Sequence, residues 1–449
     1  MKHWPEMCLR SSRRPACRGG WCAPCRIESR VPAVVSRPAR PWFPAALSLT
    51  MVGWGANQFV SLLVYYRQHH GFSEVLVTSM LGIYVAGLVP ALLLGGRYSD
   101  RTGRKRVTIF AVSLSMAASV AMMGAVFGAA PLFVGRLMAG TATGLTMAAA
   151  TSWVKELSQA PWDLKSVPGS GARRASLLTA AGFWLGPVAG GLLAAWAPAP
   201  EVLPYAVHIL LCVPLLVILA RLPETLTRQH SQASRSAGEP HHGEGRRRFR
   251  LVVAPAAPWV FAAGTTGFAV IPAVVPGLGD GRLAYATAAV AITLGCSVLI
   301  QPLARRVDTV RNARSLLTGT GVVLIGLCLV LLAILLASPA LGLVASATLG
   351  SGSGLLMVGG LLEIQRAAEP HELGALTGYF YTLAYAGFLA PTIVAFLAQW
   401  IGGAWILAGM VLLCAASLGM VAINSRKHLP HALERVDPSA ASTKPHTRA

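Results

Sequence analysis

"GGRYSDRTGRKRV", residues 95–107, sets five basic residues and one aspartate, Asp100, among glycines at 95, 96 and 103, directly after 22 residues (75–96) with no charged side chain. An apolar run that long which stops that abruptly reads as the edge of a bilayer. A hydrocarbon core of about 30 Å takes about 20 helical residues, and lysine and arginine collect at the cytoplasmic edge.

The same alternation extends along the chain. Of 449 residues, 54% are hydrophobic and 12% charged, where a soluble chain carries about 25% charged residues. Charge-free runs fall at 41–66, 75–96, 107–135, 137–154, 175–200, 202–220, 251–279 and 283–304, each sufficient for one span. Two longer runs, 315–362 and 373–425, hold two spans apiece, turning at "SPALG" (338–342) and "QWIGG" (399–403). The runs are continuous rather than alternating, so helices and not barrel strands cross the membrane. The expectation is an all-α membrane protein with twelve transmembrane helices.

An N-terminus placed in the cytoplasm leaves 35 of the 38 lysines and arginines on the inner segments. Arg67 and Arg282 fall outside, and Arg136 lies within a span. Both termini are therefore expected in the cytoplasm, with the chain in the plasma or inner membrane. A net charge of +21 in a soluble chain would suggest nucleic acid. Here it is divided among short loops, where it sets topology and meets anionic headgroups of the bilayer. No nucleic-acid partner is expected.

Two stretches repeat. "GRYSDRTGRKR" (96–106) aligns with "ARRVDTVRNAR" (304–314) at an offset of 208, which superposes Asp100 on Asp308, and Pro187 meets Pro391 at an offset of 204. A duplicated six-span unit follows: a basic tail (1–40), a first bundle (41–222), a polar linker (223–250), a second bundle (251–425) and a C-terminal tail (426–449). The linker's His230, His241 and His242 read as a solvated low-complexity loop.

Residues 96–105 carry G-x-x-x-D-R-x-G-R-K at Gly96, Asp100, Arg101, Gly103, Arg104 and Lys105. This resembles the loop signature of the major facilitator superfamily of secondary transporters, and the resemblance extends over about residues 41–425. It implies two six-helix bundles around a central cavity that opens alternately to each side. It also implies that Asp100 latches the halves in the outward-facing state, with Asp308 in an eroded second copy serving more weakly. Chemically, Gly96 would let helix 2 approach a neighbour and Gly103 would permit a tight turn. Asp100 could pair with Arg104 or sit at a helix N-terminus of the other half. The alternative is a cluster that only anchors topology.

Span 5 carries "GFWLGPVAGG" (182–191), with Gly182, Gly186, Pro187, Gly190 and Gly191 matching a pattern that resembles the antiporter signature of drug exporters. Small residues allow close helix packing and proline kinks the span, so plain packing is the competing account. Arg136, with Gly140 and Gly144 on its helix, is an intramembrane charge and so a functional candidate, unless it snorkels to the headgroups. The family places an arginine there that influences proton transfer or substrate binding.

No ATP-binding loop is present, so transport must be facilitated or driven by an ion gradient, and protons are the expected coupling ion. No aspartate or glutamate lies in a span interior. His208 is the titratable candidate within a span, the alternative being a histidine bonded between helices. Glu363, beside Arg366, is a candidate gate or a local salt bridge. Trp54, Asn57, Gln58, Tyr84, Tyr379, Tyr381 and Tyr385 are the expected cavity lining for amphipathic or planar solutes.

Cys8, Cys17, Cys22 and Cys25 crowd the N-terminal tail, but their spacing does not suit a zinc knuckle. The tail has no signal-peptide core and reads as a disordered tail, an upstream extension or a small metal site. The remaining cysteines are small apolar residues inside spans. No metal or cofactor is expected, and the chain is not expected to be an enzyme. The leading expectation is a monomeric proton-linked exporter of small amphipathic compounds. An importer or uniporter of a sugar or other polar metabolite is the alternative, and a non-transporting membrane sensor or scaffold is the third.

Overall fold

The computed structural model describes residues 40–164, 166–167, 169–225, 244–308, 313–367 and 373–426. The cysteines of the N-terminal tail, the linker histidines and nearly all of the C-terminal tail lie outside these residues. The described chain is helical. Eleven helices are long and apolar enough to cross a membrane, and a twelfth apolar helix is shorter.

In chain order they are α1 (Trp42–His70), α2 (Glu74–Thr102), α3 (Arg104–Met123), α4 (Ala129–Leu157), α5 (Ser170–Trp196) and α6 (Leu203–Arg221). The shorter α7 (Trp259–Val274) follows, then α8 (Arg282–Leu299), α9 (Arg314–Leu335), α10 (Pro339–Ala367), α11 (Ala375–Leu397) and α12 (Gly403–Asn424). Prolines account for the short α7. Pro255 and Pro258 lack the N–H an α-helix needs, so the approach is a π turn (Phe249–Val253) and a turn, and a second π turn (Thr266–Val270) sits inside the helix.

Three large buried clusters organise these helices. One draws only on α1 to α6 and the residue after α6, running from Ala45 to Leu222. Another draws only on residues 249–421. The third lies where the connecting loops are nearly free of lysine and arginine. There Phe59, Tyr66, Met80 and Leu88 of the first half meet Phe268, Val290, Tyr385 and Phe388 of the second. The halves thus share a core at this charge-poor end, while the residues buried at the opposite, basic end belong to one half or the other.

The glycine pattern of α5 explains the tight α1–α5 contact. Gly182, Gly186 and Gly190 fall on one helix face and lie against the backbone of Thr50, Trp54 and Gln58. An added Cβ at Gly186 would stand 2.8 Å from Trp54 Cα. Ser61 Oγ donates to Pro187 O at 2.6 Å. Gly191 faces instead across the seam, where a Cβ would run into Thr287 of α8.

The stretch 95–107 is not a loop. Helix α2 continues through Asp100 to Thr102, and α3 begins at Arg104, so Gly103 alone makes the break, at φ +107. The expected close approach belongs to Gly95, which packs on Leu145 and Ala148 of α4. A Cβ at Gly96 would meet nothing within 4 Å. One residue around a helix is about 100°, which is enough to exchange the two roles.

Replacing Gly186 by leucine should lower the melting temperature of the detergent-purified protein by several degrees, since overpacking costs about 1–3 kcal/mol. Gly96→Ala should leave it unchanged or raise it slightly. Thermal unfolding followed by tryptophan fluorescence compares the two.

Candidate functional site

Arg136 sits on α4, two turns from the charge-poor end, and is 1% exposed. It does not snorkel. Nε donates to Met80 O (3.2 Å) and Nη1 to Ala56 O (2.5 Å). Its guanidinium carbon lies 4.4 Å from the ring centre of Tyr84 and 4.8 Å from that of Phe59. Neither of these bonds supplies a negative charge. Removing such a cation from water costs several kcal/mol. Two charge-assisted hydrogen bonds at about 1.5–3 kcal/mol each and ring contacts at about 2 kcal/mol roughly offset that cost. The cation is tolerated there and remains uncompensated in charge.

Tyr84 connects Arg136 to the second half. Its ring lies 6.0 Å from Phe388, which continues into Phe261 at 4.9 Å. Phe261 stacks on Tyr385 at 4.5 Å, and Tyr385 on Tyr381 at 6.2 Å. The Tyr385 hydroxyl donates to Met147 Sδ across the seam at 3.7 Å. Tyr84, Tyr381 and Tyr385 therefore form one aromatic wall, to which Phe261 and Phe388 belong as well. Those two look in sequence like any other apolar residue. Trp184 of α5 adds a polar link, donating to Ala291 O of α8 at 3.0 Å.

The other expected lining residues lie elsewhere. Gln58 is fully buried and turned to α3, where Nε2 donates to Ser119 Oγ at 3.4 Å. Asn57 bonds its own helix at Gly53 O (2.9 Å). Trp54 is half-buried behind Gly186, and Tyr379 is 62% exposed. Adjacent residues on a helix cannot share a face, so Asn57 and Gln58 could not both serve one cavity.

His208 is enclosed. Nδ1 lies 2.9 Å from Ser119 Oγ and Nε2 lies 3.0 Å from Met51 O. A carbonyl only accepts, so Nε2 carries the proton and Nδ1 accepts from the serine. Gln58, Ser119, His208 and Met51 thus form one chain of hydrogen bonds joining α1, α3 and α6. This is the arrangement of a histidine bonded between helices.

At the basic end each half holds an ion network of its own. In the first, Arg104 pairs with Asp100 and, through Nε, with Glu156 Oε1 at 3.3 Å. The Asp100 side chain is 60% exposed. Glu224 caps α3, its two oxygens accepting from the backbone N–H of Arg104 (3.0 Å) and Lys105 (3.1 Å). A carboxylate at a helix N-terminus is favoured by the orphan donors there and by the helix dipole. Glu224 also fills the space beside Gly103 that a Cβ would take, a second reason for glycine at 103. Arg101, by contrast, is exposed.

In the second half Glu363 is 2% exposed. Arg248 Nε and Nη2 both reach its Oε2 at 2.9 Å, and Arg366 Nη1 approaches Oε1 at 3.5 Å. Arg366 also pairs with Asp308. Arg248, itself 2% exposed, donates further to Ser425 O at 3.4 Å. Asp308 follows a short helix (Gln301–Val307) after α8, and Asp100 lies in the last turn of α2, so the two hold similar places. The arginine that bridges each to a glutamate, however, comes from α10 in one half and from α3 in the other. Glu224 and Arg248, at the two ends of the polar linker, are built into the bundles. Sequence offered no sign of this, since each is one charge in a polar run.

Glu363→Gln should destabilise the protein by about 3–5 kcal/mol, because it leaves Arg248 buried with a weakened partner. Arg248→Met combined with Glu363→Met should recover most of that loss. The three melting temperatures form the test.

The sequence profile described as Major Facilitator Superfamily matches residues 45–391. No curated protein matches the chain. Among solved structures, a POT family transporter in complex with 5-aminolevulinic acid aligns with a TM-score of 0.70 at 11% identity, covering 87% of this chain and 96% of that one. A D-xylose–proton symporter aligns at 0.61 and 17% identity, covering 87% and 97%. A nucleoside transporter aligns at 0.61 and 11% identity, covering 85% and 100%. At these identities the likeness is one of fold.

Proposed function

This chain belongs to the major facilitator superfamily, and from that premise we propose a secondary transporter that moves a small polar solute, neutral or anionic, by alternating access. The basic end faces the cytoplasm, as the one-sided distribution of lysine and arginine requires. With the charge-poor end closed by a shared core, the described conformation is the inward-facing one. Twelve spans in two groups of six follow when α7 and its π turns are counted as one crossing.

The observation that carries the solute class is the charge of the interior. Arg136 is a buried cation with no carboxylate bonded to it among the described residues, and no span interior supplies an aspartate or glutamate. Glu363 is engaged by Arg248 and Arg366. Such a field disfavours an organic cation and favours a neutral or anionic solute. The fold likenesses, whose names mention 5-aminolevulinic acid, D-xylose and nucleoside, support a polar solute. Asp100 retains its latch role here. Exposed, and among the described residues paired only within its own half, it would gain partners when the basic end closes.

A second reading, proton-linked export of amphipathic compounds, draws on the full glycine–proline pattern of α5. That pattern already has a packing role against α1, which weakens the reading.

Right-side-out vesicles containing the protein should take up at least one member of a labelled panel of sugars, small peptides, nucleosides and carboxylic acids. Uptake should fall about tenfold in Arg136→Gln, the effect of losing one charge-assisted interaction. Everted vesicles with an inside-acid gradient should accumulate no more ethidium than empty membranes. Ethidium accumulation abolished by a protonophore would establish the exporter instead.

A further inference from the structure

We infer that the cavity on the seam between the two halves, at the charge-poor end, is a binding site for a small soluble anion bearing a carboxylate or phosphate group. This deepens the preceding reading, on which it rests for the identity of the solute but not for the existence of the site. The cavity has a volume of about 450 Å³ and is lined by Arg67, Gln68, Ser73 and Glu74 from the first half and by Ala273 and Arg282 from the second, among others. That volume lies within the range of about 300–1,000 Å³ typical of small-molecule sites.

The charge pattern is the main argument. The turns 124–128, 336–338 and 398–402 at this end carry no charged residue, so its charges come from the α1–α2, α5–α6 and α7–α8 connections. Only two arginines and no lysine are found there, Arg67 and Arg282, and both line this one cavity. An arginine on this side works against the bias that orients the whole chain, so two of them converging on a single cavity, one from each half, call for a local reason.

Their structural bonds leave capacity over. Arg282 uses one nitrogen, Nη1, on Pro272 O (2.6 Å) and Ala273 O (3.4 Å), which fixes the guanidinium at the end of α7. A guanidinium has five donors, and no protein partner is seen for Nε or Nη2 among the described residues. Arg67 Nη2 meets Glu74 Oε2 at a loose 3.4 Å, with both side chains about one-third exposed. Two cations and one carboxylate leave the lining at a net charge of +1. Ser73 Oγ is held by the N–H of Leu76 as the cap of α2 and is a fixed dipole on the same wall. A carboxylate or phosphate between Arg67 and Arg282 would be gripped by planar donor forks suited to such groups.

The site has a built-in consequence. Its two arginines belong to opposite halves, so it is complete only while the charge-poor end is closed. An anion bound there favours that conformation by its differential affinity.

The test places a thiol in the cavity. Gln68→Cys, and independently Ala273→Cys, would be made in the full chain held in phosphatidylcholine nanodiscs. Modification at the introduced thiol by sulfonatoethyl methanethiosulfonate (anionic) and trimethylammonioethyl methanethiosulfonate (cationic) would be timed by peptide mass spectrometry. The anionic reagent should gain about sevenfold over the cationic one relative to free cysteine, since a local potential near one kT speeds the first and slows the second by about 2.7-fold each. Inorganic phosphate or succinate in the millimolar range should slow both reagents, and Arg282→Gln should abolish the anion preference and the slowing alike. Equal rates, or a preference without slowing by either anion, would overturn the site. Loss of the phosphate effect when phosphatidylglycerol replaces part of the lipid would assign the cavity to a headgroup and overturn the soluble ligand. Protection that persists while every member of the transport panel fails would keep the site and discard the transport reading.

Discussion

Side chains from both halves share one apolar core at the charge-poor end, and the rest of the structure is arranged around that asymmetry. Phe268, Val290, Tyr385 and Phe388 are buried among residues of α1 to α4. At the basic end the first half closes its own core around Trp153, Leu157 and Leu219, with no contribution from the second half. Burial of apolar surface is worth about 25 cal/mol per Å² and has no directional preference. Such a seam can hold two rigid bodies together and still let them part. The hydrogen bonds that would resist separation are few among the described residues, with Trp184 to Ala291 O and Tyr385 to Met147 the clearest.

The charged groups obey the opposite rule. Glu363 joins Arg248 and Arg366, and Arg104 joins Asp100 and Glu156, each within one half. Buried ion pairs are costly to break because each partner is left desolvated. Placed inside a half, they stiffen it and would not oppose a movement of that half against the other. The same division explains Arg136, whose carbonyl partners on Ala56 and Met80 and whose ring contacts with Phe59 and Tyr84 all come from its own half. Tyr84 carries this contact on to the second half through Phe388.

Sequence disclosed the parts governed by lipid. A charge-free run of sufficient length has few alternatives in a bilayer, so the long apolar helices and the basic end could be read directly. What was not legible depended on angle or on distant partners. Gly95 and Gly96 are equivalent in composition, and only the rotation of α2 against α4 assigns the packing role to Gly95. Helix α2 ran past its apolar limit through Asp100 because a helix in water at a membrane edge costs little when its last carbonyls are solvated. Glu224 and Arg248 are single charges in a polar run until folding brings one to the start of α3 and the other to Glu363. Phe261 and Phe388 became functional candidates by position alone.

Asp100 and Arg67 mark the two ends of one argument about switching. In a carrier that rocks about its centre, whatever parts at one face must meet at the other. The charge-poor face is closed by apolar contact, with a cavity whose arginines come from both halves. At the basic face Glu156, Glu224 and Glu363 are engaged within their own half, whereas Asp100 is only half satisfied. Its carboxylate is bound on one side by Arg104 and exposed on the other, at the end of α2, the helix that touches α11 across the seam where Leu93 meets Gly378. A group that is half satisfied and sits beside the moving boundary gains most from the partners the other half would bring. If Asp100 acts as the latch proposed above, loss of apolar burial at one end would be offset by charge–dipole contact at the other. An exchange of that kind would let two states of the carrier lie within a few kcal/mol of each other.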